Sequence, residues 1–348
     1  MASFPISKRQ PSFFFLFLGN KNGPNDLPML IVTFGLMPLN SCFQTFSNPK
    51  TPIGSILDSV NAERYAAPFF AGLNFEDVDV PSGKTPKISL LIFDAGSGLR
   101  VLGKEILTSG TKEKTFHIFL SHFHYDHIQG IPFFAPAYFP GNKIVFHSGH
   151  DDLEEVLRNQ MAPPYFPIST DAMQAELSYQ RHVLGDVVEV ADCQITLFEQ
   201  DHPGTSYGYR IEHGTASAVY STDAEHRLPA HGTTYPFVEF IRDADLLIFD
   251  APYTHFESIG SREDWGHSSN IMGVELAARA NVKKLAIFHH DPASTDAQME
   301  EFLRHTKTFL SRSQEVIQHT RPSLPTAQSI RTHPHEVFNA YDGLEIEL

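Results

Sequence analysis

Short apolar runs recur along the chain, and most of them are bounded by glycine, proline or polar residues. Runs of four to eight residues of this kind are typical of buried β-strands. The clearest run covers residues 88–93 and leads into a glycine turn at 94–98, after which a helical pattern follows at 99–107. The same reasoning predicts strands at residues 29–34, 115–120, 143–147, 187–190, 194–199, 206–212, 217–221, 246–250 and 284–289.

Apolar residues at helical spacing predict helices in the remaining stretches. In residues 269–280, Ile271 and Val274 share one face, while Glu275 and Arg279 are placed to pair on the exposed side. The order of elements, strands first and then strands alternating with helices, predicts an α+β fold in which two mixed sheets pack face to face with helices outside. The predicted helices cover residues 99–107, 151–159, 171–177, 235–242, 269–280 and 295–310.

The first 50 residues show no sustained period apart from the strand at 29–34. We therefore interpret residues 1–50 as a poorly readable N-terminal segment and residues 51–348 as a single domain. An aromatic and proline-rich stretch around residues 131–180 is expected to be an insertion that walls a pocket, forms a dimer contact or packs in the core.

The composition is that of a globular protein, with 41% hydrophobic residues. Lys and Arg number 26 against 41 Asp and Glu, and the net charge of -15 makes a nucleic-acid-binding protein unlikely, because it would repel a phosphate backbone. Two cysteines, Cys42 and Cys193, cannot build a disulfide framework or a four-thiolate zinc site. The apolar run at residues 13–18 is far shorter than the ~20 residues of a membrane span. It faintly resembles a signal peptide, so export stays an alternative to the expected cytoplasmic location.

Histidine is the unusual residue of this chain, with 19 copies. His122, His124, Asp126 and His127 form an HxHxDH motif directly after the strand at 115–120. Residues two apart on an extended strand end point the same way, so His122 and His124 can hold one ion while the following turn brings Asp126 and His127 towards a second. Imidazole and carboxylate ligands without thiolate favour Zn²⁺, with Mn²⁺ or Fe as alternatives. The motif therefore predicts two divalent metal ions.

This motif resembles the signature of the metallo-β-lactamase fold superfamily, and the resemblance extends from about residue 90 to the C-terminus. It implies the four-layer αβ/βα sandwich of that superfamily and isolated ligands after later strands. His202 matches the lone histidine that completes the first metal site, and Asp223 matches the carboxylate that bridges both metals. For the last ligand we favour His289 over His290, because similar proteins place it directly after the apolar residues of a late strand.

A second layer of residues resembles the phosphodiesterase side of the superfamily, which includes ribonuclease Z. Asp250 starts an Asp-Ala-Pro-Tyr-Thr segment, and His267 starts a His-Ser-Ser segment that opens a helix. The resemblance makes both residues catalytic candidates beside Asp126, because a histidine at a helix N-terminus can donate to a phosphoryl oxygen or a leaving alkoxide. Ribonuclease Z carries a long tRNA-clamping insertion between the equivalents of His202 and Asp223, and this chain does not. Transfer-RNA processing is therefore disfavoured.

These observations predict a dinuclear metal-dependent hydrolase, and specifically a phosphodiesterase that acts on a small or cyclic-nucleotide-like phosphodiester through a metal-bridging hydroxide. Two alternatives stay open: a thioester or lactone hydrolase on the same site, and a non-catalytic metal-binding sensor or scaffold. No membrane or nucleic-acid partner is expected, and a homodimer is implied by the resemblance alone. Four histidines without a motif are interpreted as surface or loop residues: His182, His213, His226 and His231.

Overall fold

The computed structural model describes residues 14–19, 29–34, 88–108, 114–227, 235–320, 334–342 and 344–348. Within these ranges the strands form two seven-stranded sheets. In chain order the strands are β1 (Phe14–Gly19), β2 (Met29–Phe34), β3 (Ile88–Phe93), β4 (Lys114–Phe119), β5 (Lys143–Ser148), β6 (Glu176–Arg181), β7 (Val187–Val190), β8 (Cys193–Gln200), β9 (Ser206–His213), β10 (Ala216–Ser221), β11 (Leu246–Asp250), β12 (Lys284–Phe288), β13 (Glu336–Asn339) and β14 (Glu345–Glu347). The helices are α1 (Leu99–Thr108), α2 (Tyr125–Ile128), α3 (Leu153–Gln160), α4 (Pro236–Phe240), α5 (His255–Ser258), α6 (Asn270–Arg279) and α7 (Asp296–Thr320).

Both sheets are mixed. The strand order is β14-β2-β1-β3-β4-β5-β6 in the first sheet and β13-β12-β11-β10-β9-β8-β7 in the second. Strands β3 to β6 run parallel, whereas β1 is antiparallel to β2 and to β3. In the second sheet β7 to β10 alternate in direction and β10 to β13 run parallel. Strands β8, β10, β11 and β12 therefore all end at the same edge of this sheet.

A hydrophobic core fills the space between the sheets, and a second apolar layer covers the outer face of each sheet. Leu91 and Phe93 of β3 point into the inner core, while Leu90 and Ile92 point outwards to α1 and α3. Helices α4, α6 and α7 cover the outer face of the second sheet. A strand that is buried on both faces is apolar at every position, which explains the continuous runs in the sequence. The layers confirm the predicted α+β sandwich.

The helix predicted at residues 171–177 is wrong. A short 3₁₀ turn at Thr170–Ala172 is followed by β6, which pairs in parallel with β5 along all of its residues. Leu177 and Tyr179 of β6 pack against the outer apolar layer of the first sheet. Pairing with β5 at the sheet edge decides this conformation. The local spacing of apolar residues carries no information about that pairing.

The early apolar run, for which the sequence predicted no element, contains β1, which lies between β2 and β3 in the first sheet. Strands β13 and β14 were also not predicted. The division of the chain at residue 50 stays a prediction. Within residues 131–180, Phe134 and Ala137 are buried in the outer layer of the first sheet, whereas Tyr165 is exposed. None of the described helices combines the length and the hydropathy of a membrane-spanning segment.

Candidate metal centre

All seven predicted ligands lie just beyond the C-terminal ends of strands. The motif from His122 to His127 follows β4 of the first sheet. His202 follows β8, Asp223 follows β10 and His289 follows β12, so these three residues come from the shared edge of the second sheet. The two sheets thus bring together residues that are far apart in the sequence.

One group of ligand atoms comes from His122, His124, His202 and Asp223, whose donor atoms all lie within 4.8 Å of one another. The Nε2 atom of His202 is 3.1 Å from Nδ1 of His124. The Oδ2 atom of Asp223 lies 3.6 Å from Nε2 of His122 and 3.6 Å from Nε2 of His202. These four residues form a compact set of three imidazoles and one carboxylate.

A second group of ligand atoms comes from Asp126, His127 and His289. The Oδ2 atom of Asp126 lies 3.3 Å from Nε2 of His127 and 3.4 Å from Nε2 of His289. The other oxygen of Asp223, Oδ1, faces this group at 3.3 Å from His127 and 3.5 Å from His289. Asp223 therefore presents one oxygen to each group.

The buried imidazole nitrogens of the centre that have no hydrogen-bond partner in the described part of the chain include Nε2 of His122 and Nε2 of His127. Both side chains are almost completely buried, and a buried polar atom without a partner is costly. A divalent cation is the partner that neutral imidazole and carboxylate donors accept best. The residues of both groups therefore fit divalent metal ions.

The His127 ring is held by a carboxylate that the sequence analysis did not identify. Asp94 is fully buried, and its Oδ2 accepts a hydrogen bond of 2.7 Å from Nδ1 of His127 and another of 2.7 Å from the Tyr220 hydroxyl. Its Oδ1 accepts the backbone N–H of Ser121. Burial lowers the pKa of His127, but the carboxylates of Asp223 and Asp94 outweigh burial and raise this pKa well above its usual value. The sequence feature that could have identified Asp94 is its position between a buried strand and a glycine turn.

Two of the three histidines of the first group, His122 and His202, are held by neutral partners. Nδ1 of His122 donates to the hydroxyl oxygen of Ser121 at 3.0 Å, and Nδ1 of His202 donates to the carbonyl of Gly266 at 2.8 Å. Burial lowers the pKa of both rings. In each case the bond through Nδ1 fixes the ring and leaves Nε2 facing the centre, which is how proteins orient metal-binding imidazoles.

Asp250 and His267, the two predicted catalytic candidates outside the motif, contact each other beside the second group. Oδ2 of the buried Asp250 accepts hydrogen bonds of 2.9 Å from Nδ1 of His267 and 2.9 Å from the backbone N–H of Ala224. Oδ1 of Asp250 lies 3.4 Å from Nδ1 of His289. Burial lowers the pKa of His267, but Asp250 outweighs burial and raises it. One buried carboxylate thus holds the His267 ring and lies beside the His289 ring.

His289 faces the centre and His290 does not. The His289 ring stacks on His267, with centroids 5.1 Å apart. The His290 ring packs against Phe302 of α7 instead, and burial lowers its pKa to about 4. His289 itself has a positive φ of 58°, and positive φ values recur at Asp94 (60°) and Asp223 (37°). Non-glycine residues seldom adopt this conformation, although it also occurs in turns away from the centre, for example at Ala191, Asp243 and Asn281.

The sequence profile of the family described as "Beta-lactamase superfamily domain" matches residues 90–290, which is more than half of the chain and includes every predicted ligand. The chain belongs to the β-lactamase superfamily. The resemblance seen in the HxHxDH motif, to metallo-β-lactamase fold hydrolases of the ribonuclease Z-like branch, is thereby confirmed. Members of this superfamily use divalent metals, in agreement with the donor groups described above.

Individual relatives agree with this assignment. The chain is 30% identical to protein ML1173 of Mycobacterium leprae over 216 residues, which are 60% of this chain and 70% of that protein. It is 24% identical to ribonuclease Z of Thermoplasma acidophilum over 258 residues, 60% of this chain and 80% of the enzyme. The crystal structure of YhfI from Bacillus subtilis has a TM-score of 0.50 at 19% identity and covers 75% of this chain and 87% of YhfI. The crystal structure of unliganded yeast PDE1 has a TM-score of 0.53 at 12% identity and covers 97% of this chain and 100% of the PDE1 chain. The two structures share the fold.

In this superfamily member, one further carboxylate links the loops around the centre. The Glu225 side chain accepts the backbone N–H groups of Asp264 (3.2 Å) and Gly266 (3.1 Å), and it pairs with Arg227. Gly266 has a φ of +83°, and a Cβ atom there would overlap the imidazole of His202. Glu225 therefore fixes the backbone that holds His202, a role that depends on tertiary contacts and has no sequence signal.

Two of the histidines interpreted as surface or loop residues are buried. His213 ends β9, and His226 packs between Phe237 and Phe249. That interpretation is wrong for both, because strand pairing and aromatic packing cover them. His182 is partly buried, and His231 lies outside the described residues.

Proposed function

We propose that this β-lactamase superfamily hydrolase is a phosphodiesterase with a dinuclear metal centre and a small phosphodiester substrate. The observation that carries the proposal is the position of Asp223, whose two oxygens face two separate groups of donor atoms. The name ribonuclease Z, borne by one relative, gives independent support for phosphodiester chemistry.

The proposed roles follow from the contacts of each side chain. One ion would be held by His122, His124 and His202, the other by Asp126, His127 and His289, with Asp223 between them. Two divalent ions, for which Zn²⁺ is our proposal and Mn²⁺ or Fe the alternatives, would supply a nucleophile from water near neutral pH and neutralise charge on the reacting phosphate.

His267 is proposed as the proton donor to the leaving oxygen. Asp250 accepts the Nδ1 hydrogen of His267, so the other ring nitrogen, Nε2, is the atom that can donate to the substrate. The buried carboxylate favours the imidazolium form, which carries the required proton. When Nε2 gives its proton to the leaving alkoxide, the ring becomes neutral and stays hydrogen-bonded to Asp250. A proton donor suits an alkoxide leaving group, whereas thioester or lactone hydrolysis needs an oxyanion stabiliser instead.

The test combines metal content with turnover of bis(p-nitrophenyl) phosphate in the presence and absence of a chelator. We expect two metals per chain and chelator-sensitive hydrolysis. His267→Ala should lower kcat for an alkyl phosphodiester, whose leaving alkoxide needs a proton, by about a hundredfold while metal content is unchanged, because general acid catalysis contributes about 10²- to 10⁴-fold. Turnover of bis(p-nitrophenyl) phosphate, whose leaving group is a weak base, should fall less. His305→Ala, at an exposed histidine of α7, is the matched control. Two metals without phosphodiester turnover would favour the thioester, lactone or scaffold alternatives; a chain that binds no metal after reloading would refute the proposal. The cytoplasmic location and the homodimer stay predictions.

A further inference from the structure

The segment between β11 and α6 carries a stack of one cationic and two aromatic side chains. The guanidinium carbon of Arg262 lies 4.2 Å from the centroid of the Trp265 ring and 5.5 Å from the centroid of the Tyr253 ring. These distances are within the range of cation–π contacts. We call these three side chains the Arg262 stack; none of them has a role in the centre described above.

The Arg262 stack adjoins the metal centre. The Tyr253 ring meets the His267 ring edge to face, with centroids 5.9 Å apart, and His267 in turn stacks on His289. Trp265 directly precedes Gly266, whose carbonyl holds His202. The stack therefore adjoins two residues, His267 and Gly266, that contact one ligand of each donor group.

The backbone that carries the stack is fixed at both ends. Tyr253 forms a β-bridge with Ser269, and its carbonyl accepts the N–H of Asn270. On the other side, Glu225 accepts the N–H groups of Asp264 and Gly266. A site held in this way loses little conformational entropy when a ligand binds.

The charge around the stack favours an anionic ligand. In the described part of the chain, Arg262 has no carboxylate ion-pair partner, whereas the neighbouring Asp264 pairs with Arg227 and Glu257 caps α5. Stacking uses the faces of a guanidinium and leaves its in-plane N–H groups as donors. An accessible cation of this kind contrasts with the net charge of -15 of the whole chain.

Of the two aromatic rings in the stack, Trp265 is open to a ligand, whereas Tyr253 is buried. The Trp265 side chain is 51% exposed, although a large apolar ring is usually covered. Exposed aromatic rings beside Arg are the means by which proteins bind nucleobases without selecting one base, because every base has a π-face. A planar base can stack on Trp265 while Arg262 donates to an acceptor nitrogen or oxygen of the base, or to its phosphate.

We propose that the Arg262 stack is a nucleobase subsite and that the substrate is a nucleoside phosphodiester. This inference rests on the proposed phosphodiesterase function and adds the substituent that the enzyme recognises. Trp265 and Arg262 are the specificity-determining residues. The subsite selects for the presence of a base and not for its identity.

Binding can be measured without turnover, because Trp265 is the only tryptophan of the chain. Adenosine 5′-monophosphate and ribose 5-phosphate share the phosphate and differ in the base. Titrated into the Zn²⁺-loaded protein, adenosine 5′-monophosphate should quench the tryptophan fluorescence saturably and bind about tenfold more tightly than ribose 5-phosphate, since one stacked base contributes about that much. Arg262→Gln should weaken binding of the nucleotide more than binding of ribose 5-phosphate, because only the nucleotide is held beside Arg262 by a stacked base. Equal affinities for the two compounds would overturn the proposal.

Turnover provides the second test, with thymidine 5′-(p-nitrophenyl phosphate) and methyl p-nitrophenyl phosphate, which have the same leaving group. The kcat/KM of the nucleoside ester should exceed that of the methyl ester by about tenfold or more, and the difference should come from a lower KM. Trp265→Ala should lower the ratio of the two kcat/KM values about tenfold, and Trp265→Phe should preserve most of it because a stacking face remains. Tyr165→Ala, at an aromatic residue that is 81% exposed elsewhere, should leave it unchanged.

The outcomes separate the two proposals. If the methyl ester and the nucleoside ester are cleaved equally well, the phosphodiesterase proposal stands and the nucleobase subsite is refuted. If neither ester is cleaved but adenosine 5′-monophosphate still binds more tightly than ribose 5-phosphate, the subsite stands and the proposed reaction fails. A ratio that falls equally in Trp265→Ala and Trp265→Phe would show that the loop backbone, and not the ring, is responsible.

Discussion

Two clusters of histidines lie in this protein, and only one of them resembles a metal centre. In the second cluster, His117, His147 and His182 form a row across β4, β5 and the residue after β6. Nδ1 of His117 is 3.0 Å from Nε2 of His147, and Nδ1 of His147 is 2.9 Å from Nε2 of His182. His147 thus uses both ring nitrogens on its neighbours, whereas His122, His127 and His202 of the metal centre bond through Nδ1 and direct Nε2 to the centre.

Carboxylates make the second difference. In the second donor group, Asp223 and the neighbouring carboxylates outweigh burial and raise the pKa of both His127 and His289 well above the usual value. Burial prevails at His122 and His202 of the first group. In the histidine row, burial lowers the pKa of His117 to about 4 and that of His147 to about 2. The His147 ring stacks on Phe119 at 4.2 Å. The comparison teaches that convergence of free nitrogens on a carboxylate defines the candidate centre, and that histidine content alone does not.

Removing the shared carboxylate should have the largest effect. Asp223→Asn keeps the shape of the side chain but withdraws the negative charge from both donor groups, so we expect metal affinity to fall by at least a hundredfold. Elemental analysis after dialysis against a weak chelator measures the loss. Asp171→Asn, at an exposed carboxylate, is the control and should retain its metal. Retention of both ions by Asp223→Asn would contradict the role of this residue.

Asp94→Asn tests whether the buried carboxylate that accepts a hydrogen bond from His127 distinguishes the metal centre from the histidine row. The amide cannot accept all the hydrogen bonds that Asp94 receives, so the His127 ring loses its fixed orientation. We expect the affinity for one of the two ions to fall about 10- to 100-fold. Competition with a chromophoric chelator measures it, at a temperature where circular dichroism shows the variant folded. Equal weakening of both ions would indicate a general loss of structure.

Gly266→Ala should act on the other ion. The added methyl group would overlap His202, and we expect roughly a tenfold loss of affinity at the group that contains His202. Gly185→Ala is a matched control, because Gly185 also has a positive φ (+95°) but no neighbouring atom near the added group. Both variants carry the backbone strain of about 1 kcal/mol, and only Gly266→Ala carries the clash. Similar metal affinities in the two variants would argue against the close approach to His202.

The contrast between the clusters also explains what could be predicted from the sequence. His122, His124, Asp126 and His127 lie on one strand end and turn, so their spacing reports their geometry. The isolated ligands were identified through the family resemblance, and Asp94 and Glu225 were not identified, because their partners are distant in the chain. The elements of the fold also divide into those that local patterns predicted and those that depend on distant partners.

Strands buried on both faces, such as β3 and β11, were predicted at their observed bounds, since the apolar run is itself the consequence of burial. The edge strand β6 was misassigned because its conformation comes from pairing with β5. Positive φ values at Asp223 and His289 leave no trace in composition or spacing. Local patterns therefore report burial and short-range geometry, while partners and backbone strain require the assembled fold.

The smallest effect is expected in the histidine row. The folded-state pKa of His147, about 2, lies below the 6.5 of an unfolded histidine, so the unfolded chain takes up a proton as the pH falls through 6.5 and the folded chain does not. Stability contributed by neutral His147 is thus complete above pH 6.5 and is lost towards pH 5, by about 2 kcal/mol. His147→Phe keeps a ring on Phe119 but cannot titrate, so its unfolding free energy in urea should fall less steeply between pH 7 and pH 5 than that of the parent protein. Its metal content should be unchanged. Equal slopes would show that His147 is not held neutral, and a loss of metal would remove the distinction between the two clusters.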